Sequence, residues 1–125
     1  MQAPLVIAVT QLTSTSQVTL NQEIGISGAV EEAVVRYAML AKESGLGGVV
    51  ASPLEVKLIK AACGLQFQTI TPGIRPAGSD IGDQSRIMTP RQALDEGTDF
   101  MVIGRPVTAA PNPREALETI IEELI

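Results

Sequence analysis

Short apolar runs alternate with longer amphipathic segments along the whole chain. The first run, residues 5–9, is continuously apolar and rich in β-branched side chains, which is typical of a parallel strand covered on both faces. Three later runs share this character, and each is followed by a loop and a helical pattern: residues 48–51, 67–70 and 100–103. The pattern therefore predicts four units, each made of a strand, a loop and a helix.

Helical segments follow the strand runs, and their ends carry recognisable residues. Residues 30–44 place apolar side chains at about 3.6-residue spacing and stop at Gly45, a residue type favoured just past a helix end. Ser52 before Pro53 and Thr89 before Pro90 each combine an N-cap residue with proline at the first helical position. The other predicted helices cover residues 53–62, 90–96 and 113–124, and the polar stretches 10–27, 71–88 and 104–112 are predicted loops.

Strands that alternate with helices at this spacing predict right-handed crossovers and a parallel sheet. Two architectures have this pattern: an open doubly wound sheet, and part of a (βα)8 barrel of about 250 residues. Residues 10–16, after the first strand, contain no glycine and lack the dinucleotide-binding fingerprint of the open sheet. Polar residues instead follow the carboxyl ends of the strands. We therefore predict one domain over residues 1–125 that forms half of a (βα)8 TIM barrel.

Composition excludes several classes of protein. The net charge of −5 and the absence of tryptophan argue against nucleic-acid binding, which needs a basic surface and stacking platforms. With no histidine and one cysteine, Cys63, neither a zinc site of the usual kind nor an internal disulfide is expected. The apolar runs are far shorter than the roughly 18 residues of a membrane span, and the first residues lack the basic region of a signal peptide. We expect a cytoplasmic protein without membrane attachment.

Two features that superficially resemble catalytic groups are predicted to have no chemical role. Residues 55–60 mix glutamate and lysine with apolar side chains, and their helical spacing indicates a solvated face. Cys63 is predicted to be a small core residue, because no histidine is present to activate its thiol.

The loops after the third and fourth strands carry the candidate chemistry. The first holds Arg75, Gln84 and Arg86 among glycines and prolines. A solvated surface turn is one interpretation, but a loop longer than about 12 to 15 residues is uncommon unless it is functional or disordered. The fourth strand ends directly on Gly104 and Arg105. Glycine lets a ligand approach the backbone and arginine pairs with two phosphate oxygens, so these loops predict phosphate binding.

Ordered short motifs occur along the whole chain: AVTQLTS at 8–14, LAKESGLGGVV at 40–50, TPGIR at 71–75, GDQ at 82–84, RIMTP at 86–90 and VIGRPVT at 102–108. Together they resemble the C-terminal half of bacterial orotidine 5'-phosphate decarboxylase. The resemblance implies that the four predicted strands correspond to strands five to eight of that family's barrel.

The resemblance also implies a ligand and the residues that bind it. The family converts orotidine 5'-monophosphate (OMP) to UMP and carbon dioxide in pyrimidine biosynthesis, without a metal or an organic cofactor. Thr13 corresponds to a residue that contacts the pyrimidine, and Arg75 and Gln84 correspond to binding residues of the seventh loop. Gly104 and Arg105 correspond to the residues that hold the phosphate.

The same resemblance implies that the catalytic residues lie elsewhere. The family's catalytic array includes an Asp-x-Lys-x-x-Asp motif on its first three strands, and this motif occurs nowhere in the 125 residues. We therefore expect the phosphate- and pyrimidine-binding half of the enzyme, inactive alone and partnered by an N-terminal half-barrel or by further copies of itself. The alternative is a non-catalytic scaffold, truncated or engineered, that self-associates and at most binds phosphate. A related sugar-phosphate lyase is disfavoured by the spacing of the TPGIR and GDQ motifs.

Overall fold

The computed structural model describes residues 3–76 and 86–125. The strands of this part of the chain form one parallel sheet in the order β1-β2-β3-β4. Each strand pairs with the next one along the chain, so the predicted alternation of parallel strands with helices is confirmed. The strands are β1 (Ile7–Val9), β2 (Gly48–Val50), β3 (Gln68–Thr71) and β4 (Phe100–Met101).

The helices begin where the capping signals predict. Ser52 Oγ accepts a hydrogen bond from the Leu54 N–H, and Thr89 forms a capping box with Gln92. No helix within the described ranges is long and apolar enough to cross a bilayer. The helices are α1 (Val30–Glu43), α2 (Val56–Cys63), which continues a 3-10 turn (Pro53–Glu55), α3 (Pro90–Glu96), α4 (Arg105–Thr108) and α5 (Pro113–Leu124).

Two stretches predicted as loops contain helical turns. Within residues 10–27 a π-helical turn (Thr19–Ile24) forms and ends at Gly25, whose φ is 84°. Its Leu20 side chain is completely buried and joins the core, while its neighbours along the chain are polar. Leu20, Ile24 and Ile26 are too few and too irregularly spaced to produce a sustained helical pattern, so the sequence did not reveal this turn. The second stretch, 104–112, contains α4.

Helices α1 and α2 cover one face of the sheet. Val34 and Ala38 of α1, Val49 of β2 and Ile59 of α2 are completely buried in one cluster. Cys63 is buried in the same cluster, and this burial raises the pKa of its thiol. The prediction that Cys63 is a small core residue is confirmed.

The opposite face of the sheet has no covering layer in the described part of the chain. Val9, Val50, Ile70 and Phe100 lie side by side in register on this face. Val9 is 59% exposed and Phe100 is 54% exposed. The expectation that residues 5–9 are covered on both faces is therefore wrong for this chain, because the helices pack on the other side only. The sheet also ends in two edge strands, β1 and β4.

Asp99 connects the amino ends of β3 and β4 to the end of α2. Its Oδ2 accepts hydrogen bonds from the Lys60 ammonium at 2.6 Å and from the Thr69 backbone N–H at 2.8 Å. Burial acts to raise the pKa of the Asp99 carboxyl, but these hydrogen bonds outweigh it and hold the pKa below its ordinary value.

We expect Asp99→Asn to reduce the free energy of unfolding by about 1 kcal/mol near neutral pH, and the reduction to disappear in acid. Because the pKa is lower in the folded state, the ionised carboxyl stabilises the fold above the unfolded value of about 3.9. That contribution is lost as the pH falls through the folded pKa. Urea unfolding of both proteins across this pH range measures the difference. Asp95→Asn, which alters the exposed Arg91–Asp95 pair, is the control and should change little.

Candidate functional site

An open cavity of about 370 Å³ lies where the carboxyl ends of the strands meet. Three of the five predicted binding residues line it together: Thr13 after β1, Arg75 after β3 and Gly104 after β4. Arg105 follows at the first position of α4 and is exposed. Gln84 lies outside the described residues. Residues far apart in sequence therefore meet at the edge of the sheet where the topology places the loops.

The rest of the cavity wall is mostly apolar. Val9 and Val50 come from the uncovered face of the sheet, and Val102 follows β4. An apolar wall with a few converging polar groups is the usual composition of a small-molecule site, because the polar groups orient the ligand while the wall excludes water from it.

A turn after β1 holds Thr13 at the cavity. The Thr15 N–H donates to the Leu12 carbonyl at 2.9 Å, and the Thr13 carbonyl accepts from the Arg86 N–H at 3.3 Å. Thr13 is 5% exposed and lines the cavity, so a molecule within the cavity contacts it directly.

Arg75 presents a buried guanidinium to the same cavity. The residue is 7% exposed, and its Nη1 donates to the Ile74 carbonyl at 3.1 Å. Among the residues that the structure describes, its Nε has no hydrogen-bond partner. A buried charged donor without a partner is unfavourable.

The loop after β3 folds back on itself and fixes the backbone of Arg75. The Arg75 N–H donates to the Met88 carbonyl at 2.9 Å, and the Met88 N–H donates to the Gly73 carbonyl at 3.2 Å. Gly73 has a φ of 75°, and a Cβ at this position would lie 3.1 Å from the Arg86 carbonyl and 3.2 Å from Thr13 Cγ2. Only glycine fits at position 73 without strain, because both the positive φ and the short distances to neighbouring atoms exclude a side chain.

Sequence reasoning missed a buried ion pair beside the cavity. Glu55 is completely buried and pairs with the Arg86 guanidinium, so the prediction of a solvated face over residues 55–60 is wrong for Glu55. It is also wrong for Lys60, whose side chain is 9% exposed and pairs with Asp99, whereas Lys57 is exposed as predicted. Glu55 ends the 3-10 turn before α2, which directs it inward. No local signal in the sequence marks this burial, because the partner Arg86 lies 31 positions further along the chain.

The sequence model of the orotidine 5'-phosphate decarboxylase / HUMPS family matches residues 1–120. The chain belongs to this family. The resemblance to this family that the motifs indicated is therefore confirmed.

Individual proteins similar to this chain agree with the family match. Orotidine 5'-phosphate decarboxylase from Moorella thermoacetica is 57% identical over 122 residues, which are 98% of this chain and 48% of the relative. The corresponding protein from Syntrophomonas wolfei is 58% identical over 123 residues, 98% of this chain and 52% of the relative. The chain spans about half the length of the curated relatives it matches.

Solved structures agree with the fold. The crystal structure of orotidine 5'-phosphate decarboxylase from Lactobacillus acidophilus is 40% identical, with a TM-score of 0.78 over 98% of this chain and 50% of that one. The protein from Pyrococcus horikoshii is 25% identical, with a TM-score of 0.65 over 94% of this chain and 50% of that one. The predicted half of a TIM barrel is confirmed by these matches together with the parallel four-stranded sheet.

Proposed function

We propose that this chain is the phosphate- and pyrimidine-binding half of orotidine 5'-monophosphate decarboxylase, the enzyme that converts OMP to UMP and carbon dioxide. Residues 1–125 form one (βα)4 domain, and β1 to β4 act as strands five to eight of the complete barrel. The observation that carries the proposal is the shared cavity, since Thr13, Arg75 and Gly104 line it together. The protein is placed in the cytoplasm, binds no nucleic acid and attaches to no membrane.

Each binding residue has a distinct part in this proposal. Thr13 contacts the pyrimidine, Arg75 and Gln84 bind the nucleotide from the loop after β3, and Gly104 and Arg105 hold the phosphate. Arginine binds phosphate through two parallel, charge-assisted hydrogen bonds, which fix orientation as well as affinity. A phosphate held in this way supplies binding energy to a reacting group that the phosphate site does not touch.

The chemical step requires groups that this chain lacks. No Asp-x-Lys-x-x-Asp motif occurs in the sequence, so we assign no catalytic residue here, and we assign no metal or cofactor. Four further strands would pair with the edge strands β1 and β4 and close the barrel, and the sheet face that carries Val9, Val50 and Phe100 would then become its interior. The partner in catalysis is an N-terminal half-barrel that brings the catalytic lysine and aspartates.

Calorimetric titration of the 125-residue chain with UMP and with uridine tests the binding function. We expect UMP to bind more tightly than uridine, because only UMP carries the phosphate that Gly104 and Arg105 hold. Equal affinity for the two ligands, or no binding of either, would contradict the proposed function.

A second candidate is a non-catalytic scaffold that self-associates and at most binds phosphate. The row of Val9, Val50, Ile70 and Phe100 favours it, because its two outer members are exposed and the two edge strands are unpaired within the described residues. Two copies have the eight strands that a closed barrel needs.

For this reason we expect the isolated chain to form a dimer or a larger homo-oligomer at micromolar concentration. Sedimentation velocity measures the mass of the species, and replacing the exposed Phe100 and Val9 by threonine should shift it toward monomer. A compact wild-type monomer with a cooperative unfolding transition would rule out this expectation.

A further inference from the structure

A buried ion pair connects the segments that frame the cavity. The carboxylate of Glu55, which lies after β2, accepts a hydrogen bond from the guanidinium of Arg86, which lies in the loop after β3. The side chain of Glu55 is 0% exposed and that of Arg86 is 8% exposed. The pair is therefore an internal contact between two loops rather than a surface ion pair.

Arg86 also makes hydrogen bonds to the loop after β1 and to Ser52 in the segment after β2. Its Nη2 donates to the carbonyls of Gln11 at 3.1 Å and Leu12 at 2.7 Å, both in the loop after β1. Its backbone N–H donates to the Thr13 carbonyl at 3.3 Å, and its own carbonyl accepts the Ser52 hydroxyl at 2.8 Å. Arg86, which belongs to the loop after β3, is therefore bonded both to the loop after β1 and to the segment after β2.

We propose that Glu55 and Arg86 form a positioning pair, in which the carboxylate fixes the guanidinium so that the three segments present Thr13 and Arg75 to one cavity. The inference rests on the proposed nucleotide-binding function, because it concerns the same cavity. Glu55 and Arg86 are not among the residues that line the cavity, so they act on the ligand through the residues they hold.

The link from the pair to the cavity wall is short. A Cβ at Gly73 would lie within 3.2 Å of both the Arg86 carbonyl and Thr13 Cγ2, so the two ends of the loop after β3 are in close contact with the loop after β1. Arg86 therefore cannot move without displacing Thr13, Gly73 or both. A displacement that breaks one hydrogen bond to a charged ligand group weakens binding about tenfold to a hundredfold.

A contribution to folding stability does not by itself explain why this ion pair is present. Burial raises the pKa of the Glu55 carboxyl above its ordinary value even though the Arg86 guanidinium opposes this shift. Glu55 Oε2 and Arg86 Nε have no hydrogen-bond partner among the described residues. Replacing a buried ion pair with apolar residues of similar size is often neutral or stabilising, so a role in placement explains the pair better.

The test compares this pair with an ion pair at the other end of the strands. Glu55→Leu with Arg86→Met removes both charges beside the cavity, and Lys60→Met with Asp99→Asn removes the pair at the amino ends. For each double variant of the 125-residue chain we measure the free energy of unfolding in urea and the affinity for UMP. Exchange of the Arg86 and Met88 backbone N–H groups, followed by NMR, reports on the loop directly.

We expect the Glu55/Arg86 double variant to keep most of its stability, to bind UMP about tenfold to a hundredfold more weakly, and to exchange the two N–H groups faster. The Lys60/Asp99 double variant should keep wild-type affinity. Wild-type affinity in the first variant would overturn the proposal. So would a loss of affinity that follows the loss of stability equally in both variants.

Two results separate this proposal from the proposed function. If the wild-type chain binds no UMP, the proposed function fails, and the positioning role is decided by amide exchange alone, where unchanged rates overturn it. If the double variant does not fold, Glu55→Gln, which keeps the shape and removes the charge, is judged by the same measurements.

Discussion

The chain alone is expected to form no UMP from OMP above the uncatalysed background. A carbanion left by departing carbon dioxide needs a proton donor, and the resemblance places the family's lysine and its flanking aspartates outside this chain. Binding the phosphate and the pyrimidine without these groups holds the substrate but does not lower the barrier to reaction. Formation of UMP by the purified chain, made in a host that lacks its own enzyme, measures this directly.

Addition of the missing half should restore the reaction. Because the Moorella thermoacetica relative is 57% identical over 98% of this chain, its N-terminal half is a suitable complement. We expect turnover in the equimolar mixture, and none in either half alone. Turnover by this chain without the complement would show that the catalytic groups have been assigned to the wrong half.

Arg105→Ala is expected to weaken UMP binding about tenfold to a hundredfold. The charge-assisted contact between the guanidinium and the phosphate is expected to contribute roughly 1.5 to 3 kcal/mol in total, which corresponds to about tenfold to a hundredfold in affinity. Calorimetric titration of UMP against the wild-type chain and the variant, or against the reconstituted barrel, measures the change. Affinity for uridine should stay the same, because uridine has no phosphate.

Arg114→Ala is the matched control for this experiment. Arg114 lies in the first turn of α5, its side chain is 88% exposed, and it pairs with Glu118 on the same helix at 2.9 Å. Its removal changes the net charge of the chain by the same amount as the removal of Arg105. Equal affinities of the two variants would show that the phosphate site has been misplaced, and the assignment of residues from the family would then be withdrawn.

Local signals predicted the scaffold well. Ser52 before Pro53 and Thr89 before Pro90 marked two helix starts that the structure places at the same residues. Gly45 was predicted just past the end of the first helix, and α1 ends at Glu43. Capping depends on residues within a few positions of one another, so the sequence alone carries the information.

Contacts between distant segments were not predictable in the same way. Glu55 has the helical spacing of a solvated residue, yet its partner Arg86 lies 31 positions further along the chain. Leu20 is one apolar residue in a polar stretch and is completely buried. The helical spacing around Glu55 does not distinguish a buried glutamate from a solvated one, and the residues around Leu20 form no sustained period. Only the packing of the sheet against its loops therefore reveals where the two residues lie.

The sequence by itself determined the alternation of strands and helices, the half-barrel class and the family, because each depends on local propensity or on motifs that lie on the chain in order. The tertiary structure decided that Thr13, Arg75 and Gly104 share one cavity, and that Glu55 and Arg86 lie buried beside it. It also decided that one face of the sheet is uncovered within the part of the chain that the structure describes. The physical reason is that burial and charge pairing depend on which segments the fold brings together, and a one-dimensional pattern does not contain those distances.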